Sequence, residues 1–288
     1  MIPIALVTAG AIGSVIDLRA PRTGRVHSVF AHAVNLELGE DMWTVVARGG
    51  HDAALTVRLS GMVVPGDLGL RIHDPVWVRS SHLRAGTTVV DARTAVRWRP
   101  QPYEVDLDGL GERAAELEAA ARHVAWEGSW ALADAIAGAL ASARPGDLDE
   151  AVRRAIGRGP GLTPAGDDVL AGILAVLTPP GVGAGVAVGC GPAAARLRAA
   201  LVPALPATTD ISRALLRQAS RGHVSRPVWE LARAVLSGRT AAAPARAGVP
   251  ATVLSTVLSI GATSGGDTCA GLVAASRLLS RSLEGMNA

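Results

Sequence analysis

Lysine is missing from this chain: all 28 residues of its Lys+Arg class are arginine. That absence excludes a P-loop, whose lysine must reach the β- and γ-phosphates, a pyridoxal phosphate Schiff base, and a protein kinase with its strand lysine. Aromatic side chains are scarce, with one Phe, one Tyr and six Trp, which leaves little to stack on bases. No arginine run is dense enough for a nucleic-acid arm, so no nucleic-acid partner is expected. The two cysteines, Cys190 and Cys269, are too few for a disulfide scaffold or a zinc knuckle, and a reducing cytoplasm fits. Met1 to Ile16 carries no basic n-region and is interrupted by Gly10 and Gly13, so it reads as a strand and turn rather than a signal peptide. The uncharged stretch 169–195 could span a bilayer by length, but Pro179, Pro180 and the glycines after them break it. A buried helix followed by a loop is the reading, with no membrane partner. There is no nucleophile elbow, no H-E-x-x-H and no C-x-x-C.

The 288 residues are 49% apolar and 18% charged, enough to bury one large core or two smaller ones. Charge is uneven. Residues 1–150 hold 14 Arg against 19 acids, net −5, whereas 151–288 hold 14 Arg against 6 acids, net +8. The second half therefore favours anions. From Arg25 to about Trp98, short β-type runs such as VHSVFAHAVNLEL, MWTVVA and PVWVRS alternate with turn residues, the pattern of an antiparallel sheet or small barrel. From Gly109 the vocabulary shifts to Ala, Leu, Glu and Arg at helical spacing. The expectation is an α+β chain, with a β-rich domain over 1–106 and an all-helical domain of seven to nine helices over 107–288. Asp147 and Glu150 suggest a capping box, and Pro227 and Pro250 suggest first-turn prolines.

One internal repeat stands out. Gly161-Leu-Thr163-Pro-Ala-Gly166-Asp167 and Gly261-Ala-Thr263-Ser264-Gly265-Gly266-Asp267 share the frame G-x-T-x-x-G-D at an offset of 100 residues. Each copy follows one helix pattern and opens another, which places a glycine turn, a hydroxyl and a carboxylate at a helix N-terminus. Free N–H groups and the positive dipole end attract anions there, and an Asp can instead hold a cation. The alternative is plain capping, since Thr and Asp are ordinary N-caps. The second half has only six acids, and all four of its Asp, Asp167, Asp168, Asp210 and Asp267, fall in these copies or in Thr208-Thr209-Asp210-Ile-Ser212. That scarcity argues for use. Gly157, Gly159 and Gly161 imitate a dinucleotide fingerprint, but AVRRAI before them is helical, so a Rossmann turn is rejected. Arg158, between two glycines, is placed to hold an anion bidentately or to be a solvated loop residue.

GRGPGLTPAGDDVLAGILAVL at 157–177 resembles the glycine-rich signature of the AllH-like family, which includes the AllH subunit of oxamate carbamoyltransferase in anaerobic allantoin breakdown. HSVFAHAVNLEL at 27–38, TTDISRALLRQASRG at 208–222 and IGATSGGDTCAGL at 260–272 continue the resemblance. It implies a small β-rich domain followed by a helical one. It also implies carbamoyl transfer between oxalurate, oxamate and carbamoyl phosphate, beside an FdrA-type, acyl-CoA-synthetase-like subunit and a third subunit. Ala165 stands where the family signature has Ser. A second resemblance runs the other way: Gly265-Gly266-Asp267-Thr268 looks like the start of the magnesium motif of ADP-ribosylglycohydrolases, with Cys269 where that motif has its second Asp. A magnesium ion would then sit on Asp167 and Asp267. A third reading is a non-catalytic structural or regulatory subunit.

On these grounds Asp167, Asp168 and Asp267 are expected to carry chemistry. Arg158, Gly161, Thr163, Gly166, Thr209, Asp210, Ser212, Thr263, Ser264, Gly265 and Gly266 are expected to line one small-anion cleft, with Asn35 and His32 reaching it from the β domain.

Overall fold

A computed structural model describes residues 5–142, 144–180, 190–238 and 248–287. The glycine-rich loop expected after Pro180 falls on 181–189, and it and the Cys190 side chain lie outside the described residues. The chain divides into two compact units between Arg99 and Pro100.

The first unit is a sheet of nine strands: β1 (Ala5–Gly13), β2 (Arg22–Val29), β3 (Ala33–Leu38), β4 (Asp41–Val46), β5 (Thr56–Leu59), β6 (Pro75–Arg79), β7 (His82–Ala85), β8 (Thr88–Asp91) and β9 (Val96–Trp98). Alternation is clean in β6, where Val76 and Val78 are buried while Pro75, Trp77 and Arg79 face outward, as a strand's two-residue period demands. The order β5-β4-β3-β2-β6-β7-β8-β1 closes on itself through a β1–β5 pairing, with β9 beside the second half of β1. Closure leaves those eight strands without a free edge. The barrel-like sheet is mixed rather than uniformly antiparallel, because β1–β8, β1–β9 and β4–β5 run parallel. Each parallel partner follows a connection longer than a hairpin. Gly13 is required where β1 passes under the chain, since a Cβ there would lie 2.1 Å from the Ala54 carbonyl oxygen.

Nine helices are described in the second unit: α1 (Leu110–Ala121), α2 (Ser129–Ala141), α3 (Asp147–Ala155), α4 (Ala165–Leu177), α5 (Cys190–Ala204), α6 (Asp210–Ala219), α7 (Arg226–Ser237), α8 (Ala251–Leu258) and α9 (Ser264–Asn287). The lead-in before α1, in which the sequence boundary near 106 falls, belongs with the helices. Asp106 N donates to Leu236 O at 2.8 Å, and the buried Arg113 spreads its guanidinium over the carbonyls of Val235 (2.6 Å), Asp108 (2.7 Å) and Asp106 (2.7 Å). Pro227 lies in the first turn of α7 and Pro250 caps α8. The expected capping box at α3 does not form. Gly146, in the left-handed region at φ 87°, holds the N-cap position without a side-chain bond, Asp147 accepts from Ser142 Oγ, and Glu150 pairs with Arg153 and Arg154.

Helix α4 is buried on nearly every face, the mark of a central helix, and its main partner is α9. The two come together at glycines. A Cβ on Gly172 would meet the Thr268 carbonyl oxygen at 2.1 Å, and one on Gly271 would meet the Val169 carbonyl oxygen at 2.1 Å. The helix starts also meet, with Thr163 Oγ1 3.2 Å from Ser264 Oγ, so the helices run parallel and the 100-residue offset of the repeat becomes a side-by-side pair of N-termini. No helix among the described residues is long and apolar enough to cross a membrane.

Candidate functional site

The first copy of the repeat is a glycine loop between α3 and α4. Gly157, Gly159 and Gly161 have φ of 69°, 96° and 107°, a region closed to most side-chain-bearing residues. This loop presses on protein. A Cβ on Gly157 would lie 2.5 Å from the Ala207 carbonyl oxygen, and one on Gly166 would lie 1.9 Å from that of Ala155. In the second copy, a Cβ on Gly265 would meet the Val257 carbonyl oxygen at 2.0 Å and one on Gly266 would meet the Ala125 nitrogen at 2.4 Å. The close approach these three buried glycines permit, at 166, 265 and 266, is to neighbouring backbone. Gly161 is exposed.

The two repeat aspartates are both buried and both grip a distant loop. Asp167 accepts from Gly157 N at 2.8 Å through Oδ1 and from the Thr208 hydroxyl through Oδ2. Asp267 Oδ1 accepts from Trp126 N at 2.8 Å and from Ser129 Oγ at 2.7 Å. Each therefore ties one helix N-terminus to the segment opening another helix, α6 in the first case and α2 in the second. Burial, the largest influence, raises the Asp167 pKa against the lowering effect of Thr208, Gly157 and Ser212. The Ser212 hydroxyl is buried beside it but outside hydrogen-bonding geometry. Sequence reasoning missed Trp126, Ser129 and Gly157 as partners, and only the N-cap type of Ser129 at a helix start gave any local signal.

Asp168 is held differently from its neighbour Asp167. It is partly exposed, accepts from Thr163 Oγ1 at 3.0 Å, and Thr163 Oγ1 lies 3.2 Å from Ser264 Oγ. This cluster bridges the adjoining N-termini of α4 and α9. Desolvation pushes the Asp168 carboxyl up to about 8; hydrogen bonds from Ser264 and Thr163 oppose the rise, and the charges of Asp267 and Asp167 add to it. A carboxyl raised so far keeps its proton at neutral pH and then carries no charge.

The remaining expected residues are placed as follows. Thr209 caps α6, accepting from Ser212 N at 3.2 Å and donating to Leu162 O at 3.0 Å, which ties the α6 start to the first copy. Thr263 contributes its carbonyl to Asp267 N at 2.9 Å. Asp210 is exposed and pairs with Arg213 at 3.0 Å. Arg158 is exposed, with its backbone fixed by Ala155 O at 3.0 Å and Gly166 N at 2.8 Å. In the first unit, Asn35 is buried and bonded to Ser28 Oγ (2.9 Å) and Thr44 Oγ1 (2.8 Å), while His32 is exposed. No group of three or more His, Cys, Asp or Glu among the described residues is arranged to hold a metal. Both oxygens of Asp167 and one of Asp267 are already turned to protein donors, which does not suit the two as magnesium ligands.

Two family models match the chain. One, described as oxamate carbamoyltransferase subunit AllH, matches residues 155–276; the other, the AllH family N-terminal domain, matches residues 8–98. The chain belongs to the AllH family. The AllH match opens at the last residue of α3 and takes in both copies of the repeat, and the N-terminal match covers the closed sheet from the fourth residue of β1 onward. No curated protein and no solved structure matches the chain. Within the AllH segment, Cys269 is buried and its thiol is pushed up to about 12, chiefly by desolvation and further by the charge of Asp267. A thiol so held is neither a nucleophile nor a ready metal ligand.

Proposed function

We propose that this chain is the AllH-type subunit of an enzyme that moves a carbamoyl group between oxalurate and phosphate, giving oxamate and carbamoyl phosphate. It would take the small anion at the paired N-termini of α4 and α9. The observation that carries this reading is the Asp168 carboxyl, held near 8 beside Thr163 and Ser264. An ionised carboxylate would repel oxamate or oxalurate; a protonated one does not, and two positive dipole ends favour the anion.

In the direction of oxalurate cleavage, a phosphate oxygen attacks the carbamoyl carbon, charge gathers on the carbonyl oxygen, and the carbon–nitrogen bond breaks. The leaving nitrogen needs a proton to depart as the oxamate amide. Asp168 supplies it and is left as carboxylate, and proton loss from the phosphate restores the balance. Thr163 and Ser264 orient that carboxyl. Asp167 and Asp267 act through the loops they hold, so they are positioning residues. Companion subunits, among them an FdrA-type one, complete the enzyme in the cytoplasm.

The test reconstitutes the complex with its FdrA-type and third subunits from the same host. Asp168→Asn should lower carbamoyl transfer by about 10²–10⁴-fold, the usual worth of general acid–base catalysis, while leaving assembly intact. Wild-type turnover in that variant would overturn the assignment. Robust transfer by the isolated chain would overturn the division of the enzyme between subunits.

A further inference from the structure

Outside the α4–α9 junction, on the outer side of the first glycine loop, lies a groove of about 560 Å³ lined by Leu132, Arg153, Arg154, Ile156, Gly157 and Arg158. Its lining holds three guanidinium groups and no carboxylate. Arg153 and Arg154 share a single acid, Glu150, at 2.9 Å and 2.7 Å. Arg158 has neither an ion pair nor a side-chain hydrogen bond among the described residues.

We propose that this groove is a binding subsite for a doubly charged oxyanion of the phosphate class, with Arg158 as its principal ligand. One glutamate paired with two of three arginines leaves more guanidinium charge than carboxylate charge on the groove's ion pairs, which favours a doubly charged anion over a singly charged one. The guanidinium fork matches tetrahedral oxyanions with paired N–H donors. Leu132 and Ile156 exclude water from one side and so weaken screening.

The backbone of Arg158 is already in place. It is bracketed by Gly157 and Gly159, both in the left-handed region, and fixed on either side by Ala155 O and Gly166 N. Binding then orders a side chain but no loop. The Gly157 wall is itself held by Asp167, which links this groove to the buried repeat without sharing its ligands. The competing account is that Arg153 and Arg154 merely offset the negative end of the α3 dipole. That account leaves Arg158, beyond the helix, without a role. The inference stands on the charge of the groove and does not require the carbamoyl-transfer reading.

Titration of the full chain with inorganic phosphate and with pyrophosphate, by calorimetry at constant ionic strength, tests it. Saturable binding is expected, weakened at least tenfold by Arg158→Gln and by the Arg153→Gln/Arg154→Gln pair, with Arg71→Gln, at an exposed arginine of the first unit, binding phosphate like wild type. Circular dichroism establishes that these exposed-site variants fold. Phosphate affinity unchanged in Arg158→Gln, or no binding beyond that of chloride, would overturn the subsite. Loss of phosphate binding in Asp168→Asn but not in the arginine variants would move the anion to the α4–α9 junction and equally overturn it. Failure of oxamate to bind while phosphate still binds at the arginines would count against the carbamoyl-transfer reading alone.

Discussion

Thr163 and Ser264, 101 positions apart in the chain, bring their hydroxyl oxygens within 3.2 Å of each other. The contact exists because two helices opened by the same motif lie side by side and parallel, in register through Gly172 and Gly271.

Gly172→Ala should therefore be costly. Its Cβ would sit 2.1 Å from the Thr268 carbonyl oxygen, so the helices must part, at about 1–3 kcal/mol or more. Gly138, on the exposed face of α2 with nothing within 4 Å of a Cβ, is the control; Gly138→Ala should stabilise by about 0.4–1 kcal/mol. Thermal denaturation of both variants measures the contrast, and equal effects would mean that the close helix crossing is wrong.

Asp168 should make stability fall as pH rises. Its folded pKa of about 8 exceeds the ordinary 3.8, so the folded state holds this proton more tightly than the unfolded state does. The penalty is absent at acid pH, grows from about pH 4 to about pH 8, and then levels. Asp168→Asn carries no such proton. Its melting temperature relative to wild type should climb across that window, whereas a constant difference would show ordinary titration.

Asp167→Ala and Asp267→Ala should each cost about 2–6 kcal/mol, because each strands two donors that the carboxyl group now receives, at roughly 1–3 kcal/mol apiece. For Asp267 these are Trp126 N and Ser129 Oγ; for Asp167 they are Gly157 N and the Thr208 hydroxyl. The Asn variants keep an acceptor and should lose less. Chemical denaturation that ranked Asn with Ala in both would contradict the loop-gripping role.

Arg113→Lys should destabilise the helical unit by about 2–3 kcal/mol. A planar fork reaches the carbonyls of Val235, Asp108 and Asp106 at once, and an ammonium group on a single stem cannot. A melting temperature equal to wild type would show that those carbonyls are satisfied otherwise.

Local pattern made much of this molecule legible from sequence. Short β-type runs between turn residues marked the strands, helical spacing marked the helices, and the change of vocabulary between them marked the passage from sheet to helices, because each kind of backbone favours its own residue types and spacing. The G-x-T-x-x-G-D frame and the shortage of acids in the second half pointed to Asp167, Asp168 and Asp267, and the long motif at 157–177 pointed to the family.

What those residues do was not local, and only the tertiary structure decided it. Asp167 meets Thr208 across 41 positions and Asp267 meets Trp126 and Ser129 across 141 and 138, distances over which no periodicity speaks. A glycine that admits a ligand and one that admits a neighbouring helix are the same letter, so Gly166, Gly265 and Gly266 could be told apart only by the backbone atoms beside them. The sheet closes because β1 finds β5, a pairing chosen by the whole ring and not by either strand. Asp167 and Asp168 are adjacent, yet one is engaged by fixed donors on both oxygens while the other is held near 8 between two hydroxyls. Adjacent positions on a helix point about 100° apart, and solvation, not sequence, sets the charge each one carries.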